Sequence, residues 1–297
     1  TTHNSSTNVS RMWRHCHGFP HVLLCLILFY EWNIIEHVDA SVITTWSPSC
    51  VTLNGVTHSY PESFWRQLTS SMPRRKNVLD NVSLRLNSEA VHLFLGESAA
   101  GKSTILRLIM GTEIPTLGKV EISNSDNTLK LSRPVTLDSK PSYRQDEVVQ
   151  TIWSKARGST MTNSDAVSTR NELQSLSKVL NLRLESKIMD LSMSEVYLCR
   201  LGEACIASTL GTNTNPQQDM DIEAHASETT SPAPILLLDE WLDTETSTVI
   251  QRVQGALEEL ARNGAVVVCV THKPQLFRKG MLRRITLGRG KVLSIAD

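Results

Sequence analysis

Several features that would announce a function are missing from this chain of 297 residues. There is no excess of either charge: Lys and Arg total 30 and Asp and Glu total 30, so the formal net charge is zero. A basic excess is the footprint of a nucleic-acid binder and a block of like charge marks an interaction tail; with neither, no nucleic-acid partner is expected. The six cysteines lack the paired spacing of a zinc site. Cys199, Cys205 and Cys269 fall in segments that read as core, so they are expected as reduced, buried thiols. His15-Cys16-His17 with His21 groups metal-type ligands, but no second cluster supports it. The apolar stretch Val22–Tyr30 stops at Glu31, short of the roughly 20 residues that cross a bilayer as a helix. No internal repeat is visible. What remains is a chain with 40% apolar content, long enough for one large core and a subdomain.

Against that background one segment stands out. Gly96-Glu97-Ser98-Ala99-Ala100-Gly101-Lys102-Ser103 spells G-x-x-x-x-G-K-S, a phosphate-binding loop. Its context supports it: Val91–Leu95 reads as a buried strand, and Thr104–Met110 has the apolar spacing of a helix packed on a sheet. Glycines let backbone N–H groups close around phosphates, and the following helix start adds positive potential. Lys102 is placed to reach the β- and γ-phosphates, and the Ser103 hydroxyl to hold Mg²⁺.

Two downstream strands supply matching chemistry. Ile235-Leu236-Leu237-Leu238-Asp239-Glu240 is an apolar run ending in two carboxylates. Asp239 is suited to hold Mg²⁺, and Glu240 to polarise an attacking water. A third apolar run, Ala265–Val270, ends at Thr271-His272. Ligands of open α/β sheets bind at the carboxyl edge, so His272 is placed to touch a γ-phosphate.

From about Cys50 to its end the chain resembles the nucleotide-binding subunits of ATP-binding cassette (ABC) proteins. Asn77–Leu84 looks like the strand ahead of the family's phosphate loop, and Gly111–Ile122 is similar to the turn and strand after its loop helix. Tyr60 sits where the family has an aromatic that stacks on adenine, with an ordinary surface tyrosine as the alternative. Asp243 matches the aspartate that bridges the two nucleotide sites of the family's dimer. Ile285–Leu293 resembles its closing hairpin, with glycines in the turn.

The departures concern contact surfaces. The family's Leu-Ser-Gly-Gly-Gln signature, which reaches the partner's γ-phosphate, is matched best by Leu191-Ser192-Met193-Ser194-Glu195. Ser192 is kept; the glycines and glutamine are not. A Cβ resists close backbone approach, and Glu195, if it points inward, brings negative charge toward a triphosphate. Behind it Val196, Leu198, Leu201, Cys205 and Ile206 form a stripe at helical spacing. No glutamine follows the strand Pro134–Leu137, where Asp138-Ser139-Lys140-Pro141 stands instead, and Gln145 comes late. Ala99 replaces a frequent glycine, a small change.

Two segments lie outside the pattern. Residues 1–49 read as a targeting or anchor segment: Arg11 and Arg14 precede the apolar run, Val38-Asp39-Ala40 resembles a cleavage site, and Met12 is a candidate initiator. A membrane-surface anchor and a mistaken gene start are the alternatives. Residues 211–233, rich in Asn, Thr, Ser, Pro and acidic residues, read as a disordered insert.

The expected fold is α/β: a P-loop NTPase core with a largely parallel sheet, an antiparallel β subdomain and a helical subdomain at about 143–210, all within an ABC-type ATPase domain at 50–297. The resemblance implies ATP binding and hydrolysis as the energy-coupling subunit of a transporter. Its partners would be a transmembrane permease subunit and a second ABC ATPase subunit, in a homo- or heterodimer. ATP and Mg²⁺ would be held by Gly96, Glu97, Ser98, Ala99, Ala100, Gly101, Lys102, Ser103, Thr104 and Asp239, with Tyr60 on the base. Glu240 would be the catalytic base and His272 would position the γ-phosphate; Ser192 and Asp243 would act across the dimer. The expected place is peripheral to a membrane on an ATP-containing side, with an organelle weakly favoured. Single-cassette length and the lack of long coiled coils oppose ribosomal and chromosome-maintenance roles. The competing class is a hydrolysis-poor regulatory module, or the weak half of a heterodimer.

Overall fold

Strands here alternate their apolar residues between two cores, which places the nucleotide motifs along a single sheet edge. A computed structural model describes residues 46–60, 77–124, 131–158, 163–210 and 231–297. The expected leading segment up to residue 45, including the apolar run and the His15–His21 grouping, lies outside the described residues, as does 211–230 of the insert.

The strands are β1 (Trp46–Ser47), β2 (Ser49–Ser59), β3 (Asn77–Asn87), β4 (Val91–Leu95), β5 (Leu117–Asn124), β6 (Val135–Leu137), β7 (Ser231–Pro232), β8 (Ile235–Asp239), β9 (Val266–Val270), β10 (Leu282–Gly288) and β11 (Lys291–Ala296). The helices are α1 (Lys102–Met110), α2 (Val149–Arg157), α3 (Asn163–Val179), α4 (Met193–Leu210) and α5 (Ser247–Arg262). The main sheet has the order β11-β10-β4-β9-β8-β6, parallel throughout except for the final β10–β11 hairpin. A separate antiparallel sheet has the order β3-β2-β5.

Period-two alternation explains the layering. On β8, Leu236 and Leu238 face one core while Ile235 and Leu237 face the other; on β9, Val267 and Cys269 oppose Val266, Val268 and Val270. The first core is closed by α2, α3, α4 and α5, through Trp153, Leu176, Leu198, Val253 and Leu257. The second is closed by Ile105, Leu106, Leu108 and Ile109 of α1 together with Val51, Leu53, Leu84 and Leu86 of the antiparallel sheet. Strands covered on both faces must be apolar throughout, which is why β8 and β9 are near-continuous aliphatic runs.

One expectation is extended and one corrected. The stripe of the helix at Val196–Ile206 is buried, and burial reaches further round the helix to Tyr197, Cys199 and Ala204, because α4 lies between α2, α5 and the sheet. Only Val196 of the expected stripe is partly exposed. The last three residues of the expected insert, Ser231, Pro232 and Ala233, are ordered. Ser231 and Pro232 pair in parallel with Trp46 and Ser47, and the Ala233 carbonyl accepts hydrogen bonds from Ser49 and Ser132. Cys199, Cys205 and Cys269 are free and buried, and burial pushes the Cys199 thiol up to about 12. Among the described residues no helix is long and apolar enough to cross a membrane.

Candidate nucleotide site

The phosphate loop leaves β4 at its carboxyl end and turns into α1. Gly96 has φ 142 and a Cβ there would stand 2.2 Å from the Leu287 carbonyl oxygen; Gly101 has φ 100 and a Cβ would stand 2.6 Å from Leu79 Cδ2. Both positions therefore need glycine for conformation and for space. Ala99 also takes a left-handed φ of 61, so its methyl group is not the neutral change it looks in sequence; such a residue costs roughly 1 kcal/mol where glycine costs little. Helix α1 starts at Lys102 with no side-chain cap, so its first-turn N–H groups are available to an anion such as a phosphate. Lys102 is only 6% exposed, and its Nζ donates to the carbonyls of Gly96 at 2.8 Å and Glu97 at 2.9 Å. The loop thus holds its own cation at its centre.

Beside it, Ser103 Oγ donates to Asp239 Oδ1 at 3.2 Å. Burial, above all, raises the Asp239 carboxyl; Glu240 and Asp138 push the same way, while the Ser103 hydrogen bond opposes them. A hydroxyl and a carboxylate are the hard oxygen donors that Mg²⁺ takes, and a divalent cation would relieve the raised carboxyl. The donor set fits the ion. Asp138 stands next to Asp239 because β6 and β8 pair Leu137 with Leu238, so the neighbouring strand offers a carboxylate where a glutamine was sought. Gln145 is exposed on the following segment.

Glu240 turns the chain out of β8 with φ 54, while its N–H still donates to the Val270 carbonyl of β9 at 3.0 Å. That left-handed conformation, uncommon for a residue with a side chain, aims the half-exposed carboxylate off the sheet edge. His272 Nε2 lies 2.8 Å from Glu240 Oε1. Asp243 joins the same knot: it accepts from the Thr271 hydroxyl and from the His272 N–H at 2.8 Å. The next residue after Glu240, Trp241, is 2% exposed, packs against Tyr197 at 4.8 Å between ring centroids and donates from Nε1 to the Ser139 carbonyl at 2.9 Å. Glu245 accepts from Tyr197 at 2.8 Å and pairs with Lys140 at 3.0 Å.

Tyr60, at the end of β2, reaches α1. Its hydroxyl lies 3.3 Å from Thr104 Oγ1, 3.2 Å from Arg107 Nη1 and 2.9 Å from Glu113 Oε2. Ser192 stands apart, exposed ahead of α4. Its Oγ donates to Glu195 Oε2 at 2.6 Å, and its backbone N–H donates to the same oxygen at 2.8 Å. The Glu195 N–H returns to Ser192 Oγ at 3.4 Å.

Residues 79–292 match the sequence model of a family described as ABC transporter, which is well over half of the chain. The chain belongs to that family. It is 21% identical over 217 residues to the galactose/methyl galactoside import ATP-binding protein MglA of Clostridium perfringens, covering 70% of this chain and 37% of that protein. It is 24% identical to the nickel import ATP-binding protein NikE of Brucella suis, covering 74% of this chain and 78% of that one. Among solved structures, the ATP-binding cassette MJ0796 bound to ADP and Pi aligns with a TM-score of 0.51 at 20% identity, covering 83% of this chain and 98% of that one. The ADP conformation of the cassette MJ1267 aligns at 0.54 and 14%, covering 84% and 91%. The chain therefore spans little more than a third of the galactoside protein's length but most of a single cassette.

Within the ABC cassette, Gly96–Thr104, Asp239, Glu240, Asp243 and His272 share the carboxyl edge of the sheet, with Tyr60 touching the same helix start. Ser192 has its hydrogen bonds in its own turn. The Glu195 carboxylate stays within the signature turn, bonded to Ser192. It folds back to complete a capping box, in which Ser and Glu three residues apart satisfy each other's N–H groups. The Ser192 hydrogen bonds lower the Glu195 carboxyl, above all through the Oγ donor. The pattern Ser192-x-x-Glu195 was visible in sequence and was the signal to use. The residues around Tyr60, namely His58, Arg107 and Glu113, gave no such signal, because they come from separate elements. A pocket of about 360 Å³ lies between Ser139–Tyr143, Glu147 and Arg200, and no phosphate-loop residue lines it.

Proposed function

We propose that the chain binds and hydrolyses ATP as the energy-coupling subunit of an ABC transporter, acting with a second cassette and a separate membrane-spanning permease. The observation that carries this reading is the convergence of the phosphate loop, Asp239, Glu240 and His272 at one sheet edge. The loop N–H groups and Lys102 would bind the phosphates, and Ser103 with Asp239 would hold Mg²⁺, which neutralises phosphate charge when bound. Glu240 would accept the proton of the attacking water as its oxygen bonds to the γ-phosphorus and the bond to ADP breaks. His272 holds the Glu240 carboxylate in place through Nε2. Cargo choice is left to the permease, and the cassette sits against the membrane on the ATP-containing side. Neither fold nor relatives add to the organelle expectation.

One observation favours a second reading, a hydrolysis-poor partner in a heterodimer. The Ser192 hydroxyl is already donated to Glu195, so this chain's signature offers a partner's nucleotide less than the family's serine and glycines would.

Titration of the purified chain with Mg-ATP tests the first reading. Saturable binding is expected, weakened about ten- to a hundredfold in Lys102→Ala, since a charge-assisted contact contributes roughly 1.5–3 kcal/mol. Equal affinity in a folded Lys102→Ala variant overturns the phosphate-loop assignment.

A further inference from the structure

The Tyr60 hydroxyl is saturated. It donates to the Glu113 carboxylate, whose oxygens lie 3.0 and 2.9 Å away, and it stands 3.2 Å from Arg107 Nη1, a donor, and 3.3 Å from Thr104 Oγ1. One donated and two accepted bonds exhaust a phenol. Glu113 is itself anchored: Arg107 Nη1 is 3.4 Å from Oε1, and His58 Nε2 is 3.2 Å from Oε2, an ion-pair distance without hydrogen-bond alignment. His58 Nδ1 faces the Ile114 carbonyl at 3.1 Å, so that nitrogen carries a proton. The His58 and Tyr60 rings meet edge-on, 4.9 Å apart at 87°.

Three elements are drawn together by these contacts. Tyr60 and His58 belong to β2 and its end, Thr104 and Arg107 to α1, and Glu113 to the turn after α1. That turn is set by Gly111 at φ 71, which ends the helix and returns the Thr112 N–H to the Arg107 carbonyl at 3.1 Å. The Thr116 N–H then donates to the Thr57 carbonyl at 2.8 Å, closing the turn onto β2. Glu113 is therefore delivered by backbone geometry, and its 20% side-chain exposure keeps its charge only partly screened.

We propose that Glu113, braced by Arg107, is a positioning residue that fixes the Tyr60 ring as the platform for the nucleotide base. The inference rests on the reading that Tyr60 stacks on adenine. A tyrosine at the end of a strand, 37% exposed, would otherwise rotate freely and lose that freedom on binding. Holding its hydroxyl beforehand removes the cost from the binding step, which is the effect of pre-organisation. The contribution is specific to the base: the phosphates are bound by the loop whether or not the ring is held.

Calorimetric titration of the purified chain with ATP and with inorganic tripolyphosphate, both with Mg²⁺, separates the two. Glu113→Gln keeps the side-chain shape but loses the charge, and Tyr60→Phe keeps the ring but loses the hydroxyl. Each is expected to lower ATP affinity about three- to tenfold while leaving tripolyphosphate affinity unchanged. The double variant should fall no further than either single one, because both cut the same link. Tyr60→Ala is the control on the parent reading. If Tyr60→Ala loses preference for ATP over tripolyphosphate while Tyr60→Phe and Glu113→Gln keep it, the platform stands and the positioning role of Glu113 is overturned. If Tyr60→Ala keeps the preference, the stacking reading itself fails. Should Glu113→Gln unfold, Tyr60→Phe, which removes one oxygen atom, decides the question alone.

Discussion

At the phosphate loop Lys102 is 6% exposed and its charged head is held by two carbonyls of the loop; at the signature Ser192 is exposed and bonded within its own first turn. The first site is assembled from three strands and two turns that converge because a doubly covered parallel sheet puts all its strand ends on one edge. The second is a local helix start, four residues long. Their energies differ accordingly. The loop geometry depends on burial of whole aliphatic strands, each buried Leu or Val side chain contributing about 1.5–3 kcal/mol. The cap depends on a few hydrogen bonds contributing about 1 kcal/mol. A site built by the core keeps its residues in place when one contact is altered. A site built by a cap can be re-specified by a single side chain, and in this chain Glu195 does so.

The sharpest way to break that contrast is at Glu240. Glu240→Gln keeps the turn and the shape but removes the basic carboxylate, so turnover should fall about a hundredfold or more while ATP binding persists. Steady-state hydrolysis beside equilibrium binding checks this, and an undiminished rate removes Glu240 from the base role. A smaller, opposite effect is expected at the signature. The triple change Met193→Gly, Ser194→Gly and Glu195→Gln frees the Ser192 hydroxyl from a carboxylate and removes Cβ atoms from the contact face. Hydrolysis should rise severalfold, and the gain should grow with protein concentration if the segment acts, as proposed, on a partner's nucleotide. A rate equal to that of the unmodified chain at every concentration would put the segment outside catalysis and advance the regulatory reading. The smallest effect concerns the cap alone. Ser192→Ala should lower stability by about 1 kcal/mol near neutral pH, read by denaturant unfolding. The Glu195 carboxyl is held below its ordinary value in the folded chain. Its share of the stability is therefore present above the unfolded carboxylate value and is lost as pH falls through the folded one. The difference between Ser192→Ala and the unmodified chain should narrow on acidification; a constant difference would mean that the Ser192–Glu195 pair does not form.

Legibility in the amino-acid sequence follows the same division. Gly96–Ser103, Asp239, Glu240 and His272 were legible because each lies at the end of an apolar run, and runs of that length must be covered strands. Asp243 was found by resemblance, while its bonds to Thr271 and His272 depend on how β8 and β9 end side by side. Glu195 was read as a charge that would meet a triphosphate if it pointed inward, although a serine three residues before a glutamate states the local alternative, the capping box that the turn forms. The burial of α4 on several sides was hidden because its polar residues are small or paired: Ser208 donates to the Arg133 carbonyl, and Glu203 accepts from Tyr143 and Arg200. Glu113 and Arg107 were invisible as a pair with Tyr60, since nothing in a linear pattern records that the turn after α1 folds back on β2.

Trp241 gives the molecule an optical property. Its indole is fixed between the Tyr197 ring and the Ser139 carbonyl, one peptide bond from Glu240. Emission from a buried indole responds to its polarity and to its hydrogen-bond acceptor. Rotation of the Glu240 turn, or separation of Ser139 from it, would change the surroundings of this one of the chain's six tryptophans, and with them its share of the emission.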